Sequence, residues 1–413
     1  MAKTGIFSLF WTAAGLLTAV GFGTPLLDAQ FSFDVDHMPV QIHSLGSQGF
    51  AYSNDNNYLS MKTSNGSFAF TDAGANISTQ LTDKLRIGAQ IYLRNVGELG
   101  GWHPVLDWAL ADYKFMEWFG VRGGRVKTTL GLFNDTQDNE FLHTWVLLPQ
   151  SVYPLDVRGN DIAHDGGDIY GAIPLKRLGH FDYTIYGGAR AFDPYGGYPL
   201  ALKDYGLRMQ SQTGTVIGED LRWTTPLQGL LIGATHAGYN YHGVAEGMAN
   251  SAVPGFSEGK SNKNYTDAFY FDYSAGKLRL YGEYQRYWED LSIFVGSREM
   301  PNYGFAVVKD DRSWYTAISY RISKRLEIGT YHSRFYGNWN RPHSSPDNHL
   351  FDQVVTARID LNSHWDVKVE GHFMDGAPTG FVGTLLRGFY LGVNPNGFQP
   401  ATNLLVIRTG FAF

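Results

Sequence analysis

The residue types that carry catalysis are scattered through this 413-residue chain, and none falls into a recognised catalytic spacing. The nearest approach to a serine nucleophile is Gly46-Ser47-Gln48-Gly49, which lacks the G-x-S-x-G spacing of a nucleophile elbow. There is no H-E-x-x-H motif and no P-loop, and the 13 His are dispersed. Because the chain has no Cys, thiolate metal sites and disulfides are excluded. The pattern favours a protein that is not an enzyme and holds no cofactor or metal.

Basic residues between positions 86 and 127 form a second candidate group, and the chemistry open to them is electrostatic. Fixed cations along a narrow aqueous path would bias permeation toward anions. The candidates for a pore-lining basic set are Arg86, Arg94, Lys114, Arg122, Arg125 and Lys127.

The segment 134–166 follows directly and carries acidic candidates. These are Asp135, Asp138, Glu140 and Asp161. If the segment folds into a barrel lumen, it narrows the pore and sets acidic groups against a basic wall. The alternatives are a surface loop packed on a neighbouring subunit, or a Ca²⁺ site formed by Asp135, Asp138 and Glu140. Its central part, 139–148, has helical spacing and ends at Pro149, which predicts a short helix.

The elements that must position these residues are strands. Apolar and polar residues alternate with period 2 along 85–94, as in a half-buried strand. Sixteen segments are predicted as strands: 40–52, 67–81, 84–94, 105–116, 119–133, 167–175, 180–191, 213–224, 228–242, 265–275, 277–290, 312–322, 325–337, 350–361, 364–374 and 402–413. Short turns and long loops alternate strictly between them, with long loops predicted at 243–264 and 291–311 among others. An even strand number, short periplasmic turns and long external loops are typical of an all-β transmembrane barrel.

Composition agrees with such a barrel in an outer membrane. Aromatic residues make up 15% of the chain, charged residues only 17%, and Gly accounts for 49 positions. The net charge of −6 argues against nucleic-acid binding. The expected surroundings are outer-membrane lipids outside and small solutes inside.

The first 29 residues are predicted to be an export signal. An uncharged apolar run from Ile6 to Phe22 follows Lys3, and small residues beyond it suggest cleavage after Gly23 or Ala29. A retained helical anchor is the alternative. Residues 30–413 would then form a single barrel domain.

Strand alternation assigns side chains to lumen or lipid, because a charge facing lipid costs about 2–4 kcal/mol at mid-bilayer. Two strands depart from the alternation. Asp107 has the parity of the lipid-facing residues of its strand, so either a bulge turns it inward or it lies beyond the hydrocarbon core of the membrane. Arg122 is out of phase with Arg125 and Lys127, and a bulge at the glycine pair 123–124 would restore the phase. Arg125 and Lys127 would then face the lumen, with Val126 facing lipid or a subunit interface.

The final residues predict the closing strand of the barrel. Leu405, Ile407, Phe411 and Phe413 alternate up to a terminal Phe. Such a strand is similar to the one that outer-membrane assembly machinery recognises, so Phe411 and Phe413 are the candidate assembly signal.

Several stretches resemble Gram-negative porins. They are SQGFAYSNDNNYL (47–59), FTDAGANISTQLTDKLRIGAQIYLRNVGELG (70–100), LDWALADYKFMEWFGVRGGRVKTTLGLFN (106–134) and LLPQSVYPLDVR (147–158). The group they resemble includes the phosphate-selective porin O and P type. The resemblance implies a sixteen-stranded, usually trimeric diffusion channel with Arg125 and Lys127 on a basic wall strand. The dense run of lumen cations that phosphate selectivity would need is missing.

The favoured function is therefore a passive outer-membrane channel for small hydrophilic solutes or ions, with a mild anion preference. Two other classes stay open. One is a barrel enzyme such as a lipid hydrolase, which would lose activity when a single Ser or His is changed. The other is a structural barrel around a partner, which would copurify with it.

Overall fold

The computed structural model describes residues 31–35, 38–248, 255–297, 300–340, 346–377 and 388–413, and the predicted export signal lies outside these ranges. The strands are β1 Phe31–Val35, β2 Met38–Ser53, β3 Ser67–Gln80, β4 Leu85–Val96, β5 Val105–Met116, β6 Phe119–Lys127, β7 Ala163–Pro174, β8 His180–Arg190, β9 Leu207–Thr213, β10 Thr215–Thr224, β11 Leu230–Tyr239, β12 His242–Gly247, β13 Phe256–Ala275, β14 Leu278–Ser297, β15 Met300–Arg321, β16 Leu326–Tyr336, β17 His349–Asp360, β18 Trp365–Asp375 and β19 Ala401–Ala412. The two α-helices of this part are α1 Arg158–Asp161 and α2 Gly197–Asp204, and its 3₁₀ turns are Thr63–Asn65, Asn134–Thr136, Glu140–Leu142, Lys176–Leu178 and Pro346–Asn348.

Sixteen of these strands close into one antiparallel barrel. Each pairs with the next in chain order, from β2 to β8, then β10, β11 and β13 to β19. The ring closes where β19 pairs with β2, so that Phe411 lies opposite Gly46. The three remaining strands extend the barrel. β1 pairs with the start of β2, on the same edge that β19 pairs with farther along β2. β9 prolongs β10, and β12 prolongs β11. The predicted sixteen-stranded transmembrane barrel is confirmed.

Connections alternate as the sequence predicts. Residues 117–118, 276–277 and 361–364 are short turns at one end, whereas 54–66 and 128–162 are long segments at the other. The predicted loops 243–264 and 291–311 are wrong in part, because β13, β14 and β15 run on well beyond the other strands. Their apolar alternation continues there, with Leu291 opposite Val307 and Ile293 opposite Phe305.

The barrel has an apolar outer belt and a charged inner face. On β18, Trp365, Val367, Val369 and Phe373 point outward, while the intervening Asp366, Lys368, Glu370 and His372 point inward and are buried. Large apolar side chains such as Ile217 and Phe269 are exposed on the outside, as a lipid-facing surface requires. Aromatic rings gather at the short-turn end, where Phe115 and Phe119 stack at 5.2 Å. None of the helices in the described ranges has the length and hydrophobicity of a membrane-crossing helix.

The first of the two irregular strands contains the expected bulge. The β4–β5 ladder shifts between Gln90, opposite Trp108, and Ile91, opposite Leu106, so that Asp107 is an extra residue. Asp107 turns inward, accepts a hydrogen bond from Gln90 at 3.1 Å and pairs with Arg158 at 2.9 Å. The bulge therefore buries a carboxylate that strict alternation would have placed in lipid.

The second irregular strand has no bulge at the glycine pair, which corrects the predicted phase. Gly123 and Gly124 stay in register with β5 and β7, and Gly124 absorbs the distortion with φ +125°. Arg122 and Val126 therefore face inward. Arg125 turns away from the lumen cavity, against the expectation, and forms a bidentate ion pair with Asp165 at 2.7 and 2.8 Å.

Residues 128–162, called here the inward segment, lie inside the barrel. Phe133 and Trp145 pack edge-on against Tyr281 and Tyr331, and the indole of Trp145 donates a hydrogen bond to the Tyr281 hydroxyl. The predicted helix over 139–148 is wrong, since only the 3₁₀ turn Glu140–Leu142 forms. Charged side chains of the barrel wall bond the backbone of this stretch and replace the helical hydrogen bonds.

Candidate functional site

Several buried charges that anchor the inward segment lie on one side of the barrel, the wall formed by β13–β19, called here the docked wall. The two oxygens of Glu370 accept hydrogen bonds from the backbone N–H groups of Val146 and Leu147, both at 3.0 Å. Lys368 pairs with Glu140 at 2.5 Å, and Arg358 donates to the carbonyls of Phe141 and His143. These wall charges are buried, so they act on the segment rather than on solutes.

The opposite wall, β2–β6, is called here the open wall. Its Gln90 and Asp107 also contact the inward segment, but part of its inner face borders open space. A cavity of about 630 Å³ lies between it and the inward segment. Its charged lining residues are Arg86, Arg122, Lys127, Asp112, Asp135 and Asp138. Val126, at 1% exposure, lines the same cavity with Arg122 and with Lys127 at the end of β6, whereas Arg125 does not line it.

Most cations of this cavity are paired with carboxylates. Lys127 lies 2.6 Å from Asp138, and Arg122 lies 3.5 Å from Asp112. Arg86 donates to the Ser78 hydroxyl at 3.3 Å, and within the described ranges it has no carboxylate within ion-pair distance. Arg86 therefore contributes a net positive charge to the open wall.

The 3₁₀ turn Asn134–Thr136 lies between two cavities. A second cavity, of about 100 Å³, lies on the other side of this turn and is lined by Asn134. Asp135 and Thr136 face the larger cavity and Gln137 the smaller one.

Burial sets the charge of the ionisable groups on the inward segment. It raises the pKa of Asp135, against the attraction of Arg222 and Lys127. Burial also disfavours the charge of Asp138, but Lys127 and Arg158 outweigh it and lower the pKa of that carboxyl. Burial lowers the pKa of His143 to about 4, so its imidazole is neutral near pH 7. Asp138 is thus a firm anion, while the charged form of Asp135 is disfavoured.

The other candidate residues lie elsewhere. Arg94 is buried against Asp193 at 2.9 Å, and Lys114 pairs with Glu117 beside a short turn. Asp161 pairs with Arg190 at 2.6 Å in the smaller cavity. Glu140 belongs to the docked wall contacts, so Asp135, Asp138 and Glu140 do not converge. In the described part of the chain no cluster of His, Asp or Glu is placed to hold a metal ion.

Phe411 and Phe413 close the barrel. Phe413 exchanges two backbone hydrogen bonds with Ser44, at 2.7 and 2.8 Å, beyond the end of β19. Phe411 stacks on Trp365 with ring centroids 5.2 Å apart. Both residues lie at the short-turn end, where the last strand meets the first of the ring.

Sequence reasoning missed the anchors of the docked wall. Alternation along β18 places Lys368 and Glu370 on the inner face of the barrel, but it gives no sign that a segment more than 200 residues away covers them. The one available signal was the apolar character of the inward segment, which requires an apolar partner surface.

One arrangement has the connectivity of a hydrolase triad. His164 lies 3.0 Å from the Thr128 hydroxyl and 2.9 Å from Asp168. All three residues are at most 4% exposed. A substrate would not reach the hydroxyl, so the arrangement ties β7 to the start of the inward segment.

Known structures share this architecture. The sequence matches no protein-family model, and a search of curated proteins finds no match. OmpF of Salmonella typhi, solved in complex with daunomycin, aligns with 93% of this chain and 100% of its own, at a TM-score of 0.56 and 10% identity. OmpT, an outer membrane protein of Vibrio cholerae, covers 92% and 99%, at 0.54 and 11%. An anion-selective porin from Comamonas acidovorans covers 91% and 100%, at 0.52 and 11%.

Because the sequence identities are only 10–11%, the similarity to these known structures establishes the fold of this chain and nothing further. The fold, together with the apolar outer belt, defines a porin-like β-barrel of the Gram-negative outer membrane.

Proposed function

We propose that this barrel is a passive diffusion channel for small hydrophilic solutes or ions. The observation that carries the proposal is the 630 Å³ charged cavity inside a closed barrel, which the inward segment borders at Asp135 and Thr136, where we place the narrow turn of the channel. Water-filled lumens bounded by a constriction select solutes by size and charge without catalysis. The porin likeness of the fold supports the same reading.

The channel would prefer anions mildly. Arg86 lines the cavity with no carboxylate within ion-pair distance in the described ranges, whereas burial raises the pKa of Asp135 at the narrow turn. The anion selectivity named for the Comamonas acidovorans porin supports this direction. A phosphate-specific channel is not proposed, because Arg122 and Lys127 are each neutralised by a nearby carboxylate.

Planar-bilayer recording tests this function. The purified protein should give discrete steps of ion current, and a salt gradient should give a reversal potential with a small anion preference. Absence of current from correctly folded protein would contradict the proposal. Esterase activity lost on changing His164→Ala would favour the hydrolase class instead, and a tightly copurifying partner would favour the scaffold.

Trimer formation is proposed from the family resemblance and from one outer-face contact. Arg125 and Asp165 lie opposite each other on the outward face, and the Asp165 side chain is 48% exposed. Charges that face lipid are costly, so a neighbouring subunit covering the pair would stabilise it. Native mass spectrometry should show trimers that Asp165→Lys weakens, and a monomeric wild-type protein would refute the proposal.

The assembly role of the final residue is a further part of the proposal. Phe413 completes the pairing of the last strand with β2, and backbone groups left unpaired in lipid are costly. Deleting Phe413 should lower insertion into membranes strongly. Phe398→Ala, in the last long loop, is the matched control, and equal yields of the two variants would contradict the assignment.

A further inference from the structure

Two small cavities adjoin at the long-loop end of the barrel and share the ring of Tyr198. The first, of about 50 Å³, lies between α2 and the strands β12–β14. The second is the 100 Å³ cavity described above. Tyr198 projects from α2 and lines both, so the two spaces meet at one aromatic ring.

The 50 Å³ cavity is apolar. Leu291 and Ile293 of β14 are almost fully buried along it, and Ala201 of α2 lies opposite. Its floor is the directly paired Gly243 and Gly259, which carry no side chains. A Cβ on Gly243 would lie 2.1 Å from the Tyr241 hydroxyl, so glycine keeps this space open beneath the Tyr241 ring. The cavity suits an apolar ring or short chain.

The 100 Å³ cavity is polar and aromatic, with little net positive charge. The guanidinium of Arg190 lies 4.8 Å from the Tyr239 ring and pairs with Asp161. Arg158 is likewise paired, with Asp107. A further carboxylate in the lining, Asp311, has its own partners in the chain.

Hydrogen-bonding groups without charge complete this lining. Amide groups come from Gln137 and Gln285, and a hydroxyl comes from Thr266, while the Asn134 amide is bonded to Thr128, Asp161 and Gln137. Tyrosine rings flanked by amides and ion-paired charges suit a ring with several hydroxyl groups, which can stack and hydrogen-bond at once. An anionic group would find no unpaired cation here.

We infer that the two cavities form one binding site for a small uncharged amphipathic solute, of the class of an aryl glycoside. The apolar ring would occupy the cavity between α2 and β12–β14, and the sugar would occupy the polar cavity beside Tyr239. The inference rests on the proposed channel function, since it places a solute subsite immediately outside the narrow turn at Asn134.

The sizes of the cavities agree with this assignment. These cavity volumes count the space open to the centre of a water molecule, and one water needs roughly 10–15 Å³ of it. The cavity of 50 Å³ therefore holds about 3–5 waters, and the cavity of 100 Å³ holds about 7–10. Each water occupies about 30 Å³ of liquid, so the apolar cavity has room for one six-membered aromatic ring and the polar one for a hexose.

Current block in planar bilayers tests the inference. The probe is 4-nitrophenyl β-glucoside, compared with glucose and with the anionic 4-nitrophenyl β-glucuronide. The aryl glucoside should interrupt the current reversibly, with an affinity at least about tenfold above that of glucose, because glucose leaves the apolar cavity empty. The glucuronide should bind more weakly than the glucoside.

Variants locate the site. Tyr198→Ala should weaken the block by about tenfold, because it removes the shared ring. Tyr195→Ala is the matched control, since that tyrosine stacks on His103 outside both cavities. Gly259→Ala, whose Cβ would lie 3.3 Å from the Tyr241 ring, should weaken the block without removing a contact.

The outcomes separate the two proposals. A channel that conducts but shows no block by the glucoside, or equal block in Tyr198→Ala and Tyr195→Ala, would overturn the binding site and leave the channel function intact. Preferred block by the glucuronide would also overturn it, because the site would then recognise an anion. Absence of any current would overturn the channel function itself.

Discussion

The two lumen walls of this barrel carry similar charged side chains but use them differently. On the docked wall, Lys368 and Glu370 are fully buried and bond the backbone or side chains of the inward segment. On the open wall, Arg86 and Arg122 face a 630 Å³ cavity. A charge in a barrel lumen is thus either a structural anchor or part of the permeation path, depending on what covers it.

The difference has an energetic basis. A buried charge is tolerated only with close partners, because its desolvation is costly. Glu370 therefore has two backbone N–H groups and His372 around it, all within 3.0 Å. Arg86 stays hydrated and needs no such shell. Removing an anchor should destabilise the fold, and removing an open-wall charge should change ion flow.

The largest expected effect is loss of the anchor at Glu370. Glu370→Ala leaves the N–H groups of Val146 and Leu147 without their acceptor and His372 with Asp352 alone, which should cost about 3–5 kcal/mol of unfolding free energy. Urea unfolding followed by tryptophan fluorescence measures it. Arg86→Ala is the control, expected within about 0.5 kcal/mol of wild type. Equal stabilities of the two variants would remove the distinction between the walls.

Acid should loosen the inward segment through His143. The pKa of this imidazole is about 4 in the docked segment and 6.5 when free, because burial disfavours its charge. Docking is therefore fully stable above about pH 6.5 and loses up to about 3 kcal/mol as the pH falls to 4. Channel current should become noisier in that window. His143→Asn should abolish the pH dependence, and an unchanged profile would show that the imidazole is not the titrating group.

A smaller effect is expected on selectivity. Arg86→Glu should move the reversal potential toward cations, since Arg86 faces the cavity without a carboxylate partner. Arg125→Gln should leave it nearly unchanged, because Arg125 faces away from the cavity and is bound to Asp165. If Arg125→Gln gave the larger shift, the lumen side of β6 would have to be reassigned.

Much of the architecture was predictable from local patterns. Period-2 alternation and turn residues gave the strand count, and the charge of Asp107 on an apolar parity indicated its bulge. The side of the sheet on which Arg125 lies was predicted wrongly. Gly124 adopts a positive φ and no extra residue is inserted in the strand, and a glycine pair in the sequence looks the same in this case as it does at a bulge. The helix at 139–148 failed because hydrogen-bond partners from β17–β19 replace helical ones.

The pairing of distant segments was beyond local reasoning. Alternation assigns Glu370 to the inner face, but whether that face meets water or protein depends on residues 146–147, more than 220 positions earlier. The strands that line the open cavity and the strands of the docked wall therefore show the same alternation of polar and apolar residues in the sequence.

Cysteine accessibility tests the division of the lumen most directly, because the chain has no native Cys. Asn76→Cys would place a thiol on the open wall at the cavity, and Thr356→Cys would place one on the docked wall, where Thr356 is 6% exposed. A cationic methanethiosulfonate reagent should label Asn76→Cys rapidly and change its ion current, and should leave Thr356→Cys unlabelled in folded protein. Rapid labelling of Thr356→Cys with no reaction at Asn76→Cys would contradict the account.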